Sequence, residues 1–338
     1  MTNSVSIGDL SRAALLRQAN AQLKSRLLVL TQESASGVRS DMAQAVGGNF
    51  GHLAQVESRL TTLAAYRETA AAAQAELAGL QAALETIGKI GSEIGNAMSS
   101  GVSATDETSV SIRSRQARDD LNAVVGLMNV EIGGRFLLSG SAVETPPMGD
   151  VAGILAGARA QVAGLTDPAA IAAAISSWFD AAPGQGGFAD TWFGGNTDTR
   201  TVAASSQAAV TQTLTGLDPS FQDILKGLVL GALADDPAVA VAREDKAALV
   251  AQAGATTLAG VRALTMRRAE VGMQEEAIAR DAARNAAETT AMSIARTRIV
   301  EADPYETASA LTQTETSLQN LYALTARLSR LSLTDYLG

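Results

Sequence analysis

Leucines recur at helical spacings near both ends of the chain. The N-terminal set comprises Leu10, Leu16, Leu23, Leu27 and Leu30, and the C-terminal set comprises Leu311, Leu318, Leu321, Leu324, Leu328 and Leu331. Steps of three, four or seven residues place side chains on one stripe of a helix, and a sustained stripe of this kind is the seam of a coiled coil. The pattern therefore predicts two terminal helices that pair through their leucines.

The two ends of the chain also carry opposite charge. Residues 1–40 hold five basic and two acidic side chains, for a net charge of +3, whereas residues 301–338 hold two basic and five acidic side chains, for a net charge of −3. Opposite charges favour contact between the two segments and help to fix their register. Together with the leucines, they predict that the two ends lie together, as in an assembly protein rather than an enzyme.

Proline positions suggest the organisation of the rest. The first proline is Pro146, six of the seven lie from there to Pro237, and the last is Pro304. Because proline breaks helix interiors, the tracts 52–135 and 238–303 are free to form long helices, the first of which is divided at Ser99-Ser100-Gly101. The chain is predicted to have three domains, listed here by their residues: 1–46 with 304–338 as a terminal coiled coil, 47–140 with 237–303 as a helical rod, and 141–236 as an insert.

The middle of the chain differs in composition from both tracts. Both tryptophans and five of the six phenylalanines fall between Phe136 and Phe221, with the glycine-rich loop Gly184–Gly187. The segments 199–202 and 210–214 are rich in threonine and valine and predict short strands. The expected fold is mainly α: an elongated rod of long antiparallel helices with coiled-coil terminal helices, short β-hairpins and a small mixed α/β insert.

Composition narrows the classes of partner. The net charge of −9 and the pI near 4.8 argue against nucleic acid, which requires a basic surface. Cysteine is absent, which excludes disulfides, and the first residues lack the basic and apolar regions of a cleaved secretory signal. The apolar stretch 224–234 is far too short to span a membrane, so no membrane insertion is expected.

Catalytic chemistry is not predicted anywhere in the sequence. His52 is the only histidine, and no nearby partners would complete a metal site or a nucleophile triad. The glycine runs lack the lysine of a phosphate-binding loop. Asp235 and Asp236, directly before Pro237, are typical of a capped helix start. We therefore predict no enzyme activity, no cofactor and no metal.

Three segments resemble the flagellin superfamily. The C-terminal runs Ala302-Asp303-Pro304-Tyr305-Glu306-Thr307-Ala308 and Leu331-Ser332-Leu333-Thr334-Asp335-Tyr336-Leu337 are similar to the ending of that family. Gly134-Arg135-Phe136-Leu137-Leu138-Ser139-Gly140, with Thr145-Pro146-Pro147-Met148 after it, resembles the family's motif after the second inner-rod helix. Gln32-Glu33-Ser34-Ala35-Ser36-Gly37 resembles its N-terminal Ser-Gly turn. Within the superfamily the chain is most similar to the hook-associated proteins of the hook–filament junction.

The resemblance implies an extracellular structural protein of the bacterial flagellum, exported by the flagellar type III apparatus without a cleaved signal peptide. It implies self-assembly into a ring or helical oligomer and contacts with hook-associated protein 1, flagellin and an export chaperone. The absence of a large polar central domain favours the junction over the filament. The alternatives are a flagellin that forms the filament and, from another class, a type III secreted needle-tip or translocator protein.

Assembly is expected to use the terminal leucines. The predicted interface residues are Leu16, Leu23, Leu27, Leu311, Leu318, Leu321, Leu324, Leu328 and Leu331. Because a leucine stripe with few other large side chains buries little surface, we expect these helices to be largely unpaired in the free monomer and to order on assembly.

Overall fold

The computed structural model describes residues 7–100, 106–203 and 209–337, and these are mainly α-helical, with ten helices and two strand pairs. The helices are α1 (Ile7–Ser36), α2 (Met42–Ala45), α3 (Gly51–Ser99), α4 (Glu107–Met128), α5 (Val151–Gln161), α6 (Pro168–Asp180), α7 (Phe188–Trp192), α8 (Pro219–Leu233), α9 (Lys246–Val300) and α10 (Pro304–Leu337). The strands are β1 (Glu131–Ile132), β2 (Arg135–Phe136), β3 (Arg200–Ala203) and β4 (Ala209–Gln212). The predicted mainly α fold with long helices and short hairpins is confirmed.

Helix boundaries follow local sequence signals. The side chain of Asp106 accepts a hydrogen bond from the Ser109 amide at 3.0 Å and so caps α4 where the sequence predicts. Proline occupies the first position of α6 and of α8, where its missing N–H costs nothing, and each helix has an aspartate N-cap. The final helix α10 begins at Pro304, as predicted.

Two compact units share the chain. One comprises Met1–Leu63 and Ala287–Gly338, and the other comprises Ala64–Ala286. The boundaries fall inside α3 and α9 rather than at the chain breaks used for the three predicted domains, and that three-part division stays a prediction. Below, the first is called the terminal unit and the second the central unit.

The central unit is held by large buried side chains and close helix packing. Phe179 stacks on Phe188 with ring centroids 4.3 Å apart, and Trp178 meets both edge-on at 5.1 and 5.5 Å. Helix α8 approaches α9 so closely that a Cβ at Gly227 would lie 2.7 Å from the Ala253 carbonyl oxygen. Glycine is therefore required at this crossing, and small residues set the helix spacing as the composition suggests.

The strand pair β3–β4 is an antiparallel hairpin within the central unit, in register from Arg200↔Gln212 to Ala203↔Ala209. The two predicted strand segments are thus confirmed to within a few residues. Arg200 forms an ion pair with Glu76 of α3, and the Gln212 amide donates to the Leu137 carbonyl at 2.6 Å. These contacts fix the hairpin against the helix that precedes it in the chain.

Asp236 has a role that its sequence context did not indicate. Its side chain is 3% exposed and accepts hydrogen bonds from Arg159 at 2.7 Å and from Arg118 at 3.4 Å, so it links α5 to α4. Burial alone would raise the pKa of this carboxyl, but the bonds from Arg159 and the Ala238 amide hold the pKa below its usual value. The predicted helix start at this position is wrong, since α9 begins at Lys246.

One described helix, α9, is long and apolar enough to cross a membrane by length and composition. In the structure, 44% of its most apolar stretch is buried inside the protein, and Leu249, Val250 and Ala253 lie in the core of the central unit. A core helix of a soluble protein satisfies the same criterion.

Candidate assembly interface

The first and last helices of the chain, α1 and α10, pack against each other within the terminal unit. They run antiparallel, since α1 leads into, and α10 leads out of, an antiparallel bridge between Val38 and Glu301. The predicted pairing of the two ends is thus present in a single chain. The expectation that the free monomer leaves these helices largely unpaired is a matter for measurement in solution.

The seam between the two helices follows a heptad pattern. On α1, the less exposed positions are Leu16, Asn20, Leu23, Leu27 and Leu30, separated by alternating steps of four and three residues. On α10, the corresponding positions are Thr307, Leu311, Thr314, Leu318 and Leu321, with the same alternation. These ten residues are called the terminal seam. The alternation is the a/d pattern of a coiled coil, as the leucines predict.

Polar residues occupy three of these seam positions. Thr314 is 4% exposed, and its hydroxyl donates to the Ala310 carbonyl at 2.7 Å, one turn back on its own helix. Thr307 is also buried, and Asn20 is half-buried. A search for leucines alone misses all three residues. The signal that identifies them is the spacing itself, which continues through the polar positions.

The predicted interface residues separate into two groups. Six of them lie in the terminal seam, namely Leu16, Leu23, Leu27, Leu311, Leu318 and Leu321. Leu324 is 54% exposed and Leu328 is also exposed, so neither is covered by α1. The side chain of Leu331 lies outside the described residues. The structure therefore divides the predicted single stripe into a seam within the chain and an open face.

Both terminal helices carry large apolar side chains on that open face. Leu15, Leu28 (71% exposed) and Val29 face away from the seam on α1, and Tyr322 joins Leu324 and Leu328 on α10. Such residues are called the outer face. Single exposed leucines are ordinary, but several on paired helices are typical of a surface that binds another protein.

A short bridge ties the end of α1 to the start of α10. The Arg39 amide donates to the Val300 carbonyl at 2.9 Å, and the Ala302 amide donates to the Gly37 carbonyl at 3.0 Å. Gly37 has a φ of +69°, a left-handed conformation that suits glycine at a helix end. This bridge fixes where the two helices begin to pair.

Charge between the two ends is only partly used within the chain. The Arg39 guanidinium lies 3.6 Å from the Glu306 carboxylate, which joins the two terminal segments. In the described structure, Lys24 and Arg26 on α1 and Glu315 on α10 form no ion pair. Part of the predicted complementarity thus remains available to another molecule.

Within the terminal unit, the beginning of α3 is joined to the end of α9 by charge. Arg59 donates two hydrogen bonds to Glu288, at 2.6 and 2.9 Å, and the first of these lowers the pKa of that carboxyl. His52 lies beside this pair in a shallow groove with Val56 and Met292. Among the described residues, no group of three or more histidine or acidic side chains is placed to hold a metal ion.

The chain has a distant likeness among solved structures. No protein-family model matches the sequence, and no curated protein matches it. A solved structure from Vibrio parahaemolyticus, provisionally named a flagellar hook-associated protein, covers 72% of this chain and 94% of its own, with a TM-score of 0.48 and 13% sequence identity. At this identity and TM-score, the likeness is not evidence for a function.

Proposed function

We propose that this protein is a structural subunit of the bacterial flagellum that acts as an adaptor at the hook–filament junction, most like hook-associated protein 3. The sequence resemblance of residues 302–308, 331–337 and 134–140 to the flagellin superfamily supports this proposal. The structural support is the pairing of the first and last helices, which is the arrangement that the resemblance implies.

A single observation carries the assembly role. The terminal seam buries only one stripe of each terminal helix, and large apolar side chains such as Leu28 and Leu324 remain exposed on the outer face. Exposed apolar area of this kind is stabilised when a partner removes it from water. The terminal helices are thus suited to packing against further helices, which an adaptor or filament subunit requires.

The proposed partners follow from the same role. The subunit assembles with copies of itself in a ring or helical oligomer, contacts hook-associated protein 1 on one side and flagellin on the other, and is delivered by a flagellar export chaperone. It reaches the outside of the cell through the type III apparatus without cleavage of a signal peptide.

Immunogold electron microscopy of flagella tests the location. The epitope is inserted between Leu165 and Thr166, in the connection between α5 and α6, where Thr166 is exposed. Gly186 is also exposed, but its amide donates a 2.6 Å hydrogen bond to Asp190, which an insertion there would disturb. Cells with the untagged chain serve as the control.

Label confined to the boundary between hook and filament is the expected result. Label along the whole filament would replace the adaptor with a filament subunit, and the assembly role of the terminal helices would stand. Label at the tip of a needle complex, or none on flagella at all, would overturn the proposal.

A further inference from the structure

Asn20 is the polar residue in an otherwise apolar seam on α1. It occupies the position between Leu16 and Leu23 in the alternating pattern, where the other α1 members of the terminal seam are leucines. Its carboxamide oxygen is buried and accepts no hydrogen bond in the described structure. A leucine at this position would bury more apolar surface and leave no polar atom without a partner.

A buried asparagine in a coiled-coil seam has a known physical effect. It weakens the pairing because its amide must lose water, and it favours those registers in which the amide finds a partner. Within this chain the weakening is present, whereas a partner for the oxygen is missing. The arrangement in which Asn20 is satisfied therefore contains a group that the single chain does not supply.

We infer that Asn20 is a register-determining residue of a contact between copies of this chain, in which a donor from a second copy satisfies its carboxamide. This inference rests on the proposed function, because it deepens the self-assembly step. Charge on the terminal helices indicates a second copy as the occupant. Lys24 and Arg26 on α1 and Glu315 on α10 form no ion pair in the described structure, so α1 of one copy and α10 of the next are complementary.

The outer face gives this contact its apolar component. Leu15 and Val29 on α1, and Leu324 on α10, are exposed in the single chain and become buried when a neighbouring pair packs on them. A contact of α1 with the next copy's α10 uses two different surfaces, and contacts of that type generate rings or helical assemblies. Asn20 then selects one register among the several that leucines alone permit.

The test compares Asn20→Leu with Gln18→Leu in the full chain. Gln18 is exposed on the same helix, outside the terminal seam, so this control makes the same amide-to-leucine change without touching the seam. In hydrogen exchange of the soluble protein, Asn20→Leu is expected to raise amide protection over 14–33 and 307–324 by about tenfold or more, and Gln18→Leu is expected to leave it unchanged.

The second measurement is incorporation into assembled structures on the cell. Wild-type chain and variant, each with its own epitope, are expressed together and counted in the same structures. Asn20→Leu is expected to be incorporated about tenfold less than wild type despite its firmer seam, because the wrong registers are no longer disfavoured. Gln18→Leu is expected to be incorporated as wild type. A thermal unfolding midpoint at or above wild type shows that loss of Asn20→Leu is not misfolding.

A photo-crosslinking amino acid at position 20 identifies the neighbour, and a second copy of the chain is the expected product. Equal incorporation of Asn20→Leu and wild type, unchanged amide protection, or capture of a different protein would each overturn the inference. Failure of the proposed function is distinguished by the location of the wild-type label, which these variants do not enter.

Discussion

The terminal helix pair and the core of the central unit bury their apolar residues in different ways. In the central unit, Phe179, Phe188 and Phe221 are fully buried, and the aromatic rings contact each other. In the terminal seam, Leu30 and Leu318 are the best covered leucines, and threonine fills two of the buried positions. The central unit completes its core within the chain, whereas the terminal helices leave apolar surface for partners.

This difference indicates which part of the molecule supplies its stability. Large aromatic side chains each remove about 150–250 Å² from contact with partners and water, whereas a seam of leucine and threonine removes much less. We therefore expect the free energy of unfolding to reside chiefly in the central unit, and the capacity for assembly to reside in the terminal one. Substitutions matched between the two regions separate these roles.

Phe179→Ala is expected to have the largest effect on stability. The ring is fully buried and stacked on Phe188, so its removal leaves a cavity and lowers the free energy of unfolding by about 3–5 kcal/mol. Urea unfolding followed by circular dichroism measures this change. Phe50→Ala, at a half-exposed position of the terminal unit, is the control and should cost far less. Equal costs would contradict the proposed division.

Gly227→Ala is expected to cost about 1–3 kcal/mol through overpacking, since the added methyl would meet the Ala253 carbonyl and Thr257 on α9. Thermal unfolding provides the measurement. The matched control is Gly126→Ala in α4, where nothing lies within 4 Å of an added methyl. There the same change should stabilise the chain by about 0.5–1 kcal/mol, because alanine favours a helix interior. A harmless Gly227→Ala would mean that α8 and α9 pack less closely than the structure indicates.

Asp236→Asn is expected to lower stability by about 1.5–3 kcal/mol at neutral pH, because Arg159 loses a charged acceptor. The folded pKa of Asp236 lies below that of the unfolded chain. Its contribution is therefore fully present above the unfolded value of about 4 and is lost as pH falls through the folded pKa. Unfolding of wild type and variant should differ at pH 7 and converge in acid. A gap that is independent of pH would exclude an ionised Asp236 as the cause.

Local signals in the sequence predict the helices and the hairpin, but not which side chains meet. Asp106 and Pro304 mark helix starts by chemistry contained within a few residues, so their positions could be predicted. Leu324 follows the leucine spacing yet lies off the seam, because a helix drifts relative to any pattern built from three-residue steps. The partners of Asp236 are 118 and 77 residues away in sequence, and no local pattern indicates such a contact.

Leu321→Asp and Leu324→Asp have the smallest expected effects on the main unfolding transition, about 1 kcal/mol or less, and the largest on assembly. Leu321 lies in the terminal seam, so a charge there should lower amide protection over α1 and α10 and also prevent incorporation into flagella. Leu324 lies on the outer face, where a charge should leave that protection intact and still reduce incorporation. Hydrogen exchange and counts of labelled flagella measure the two effects separately. Normal incorporation of Leu321→Asp would remove the seam from the assembly mechanism. Normal incorporation of Leu324→Asp alone would restrict the mechanism to the seam, and the exposed leucines would then need another occupant. Loss of incorporation in both variants, with loss of protection in only one, is the result that a two-faced terminal pair requires.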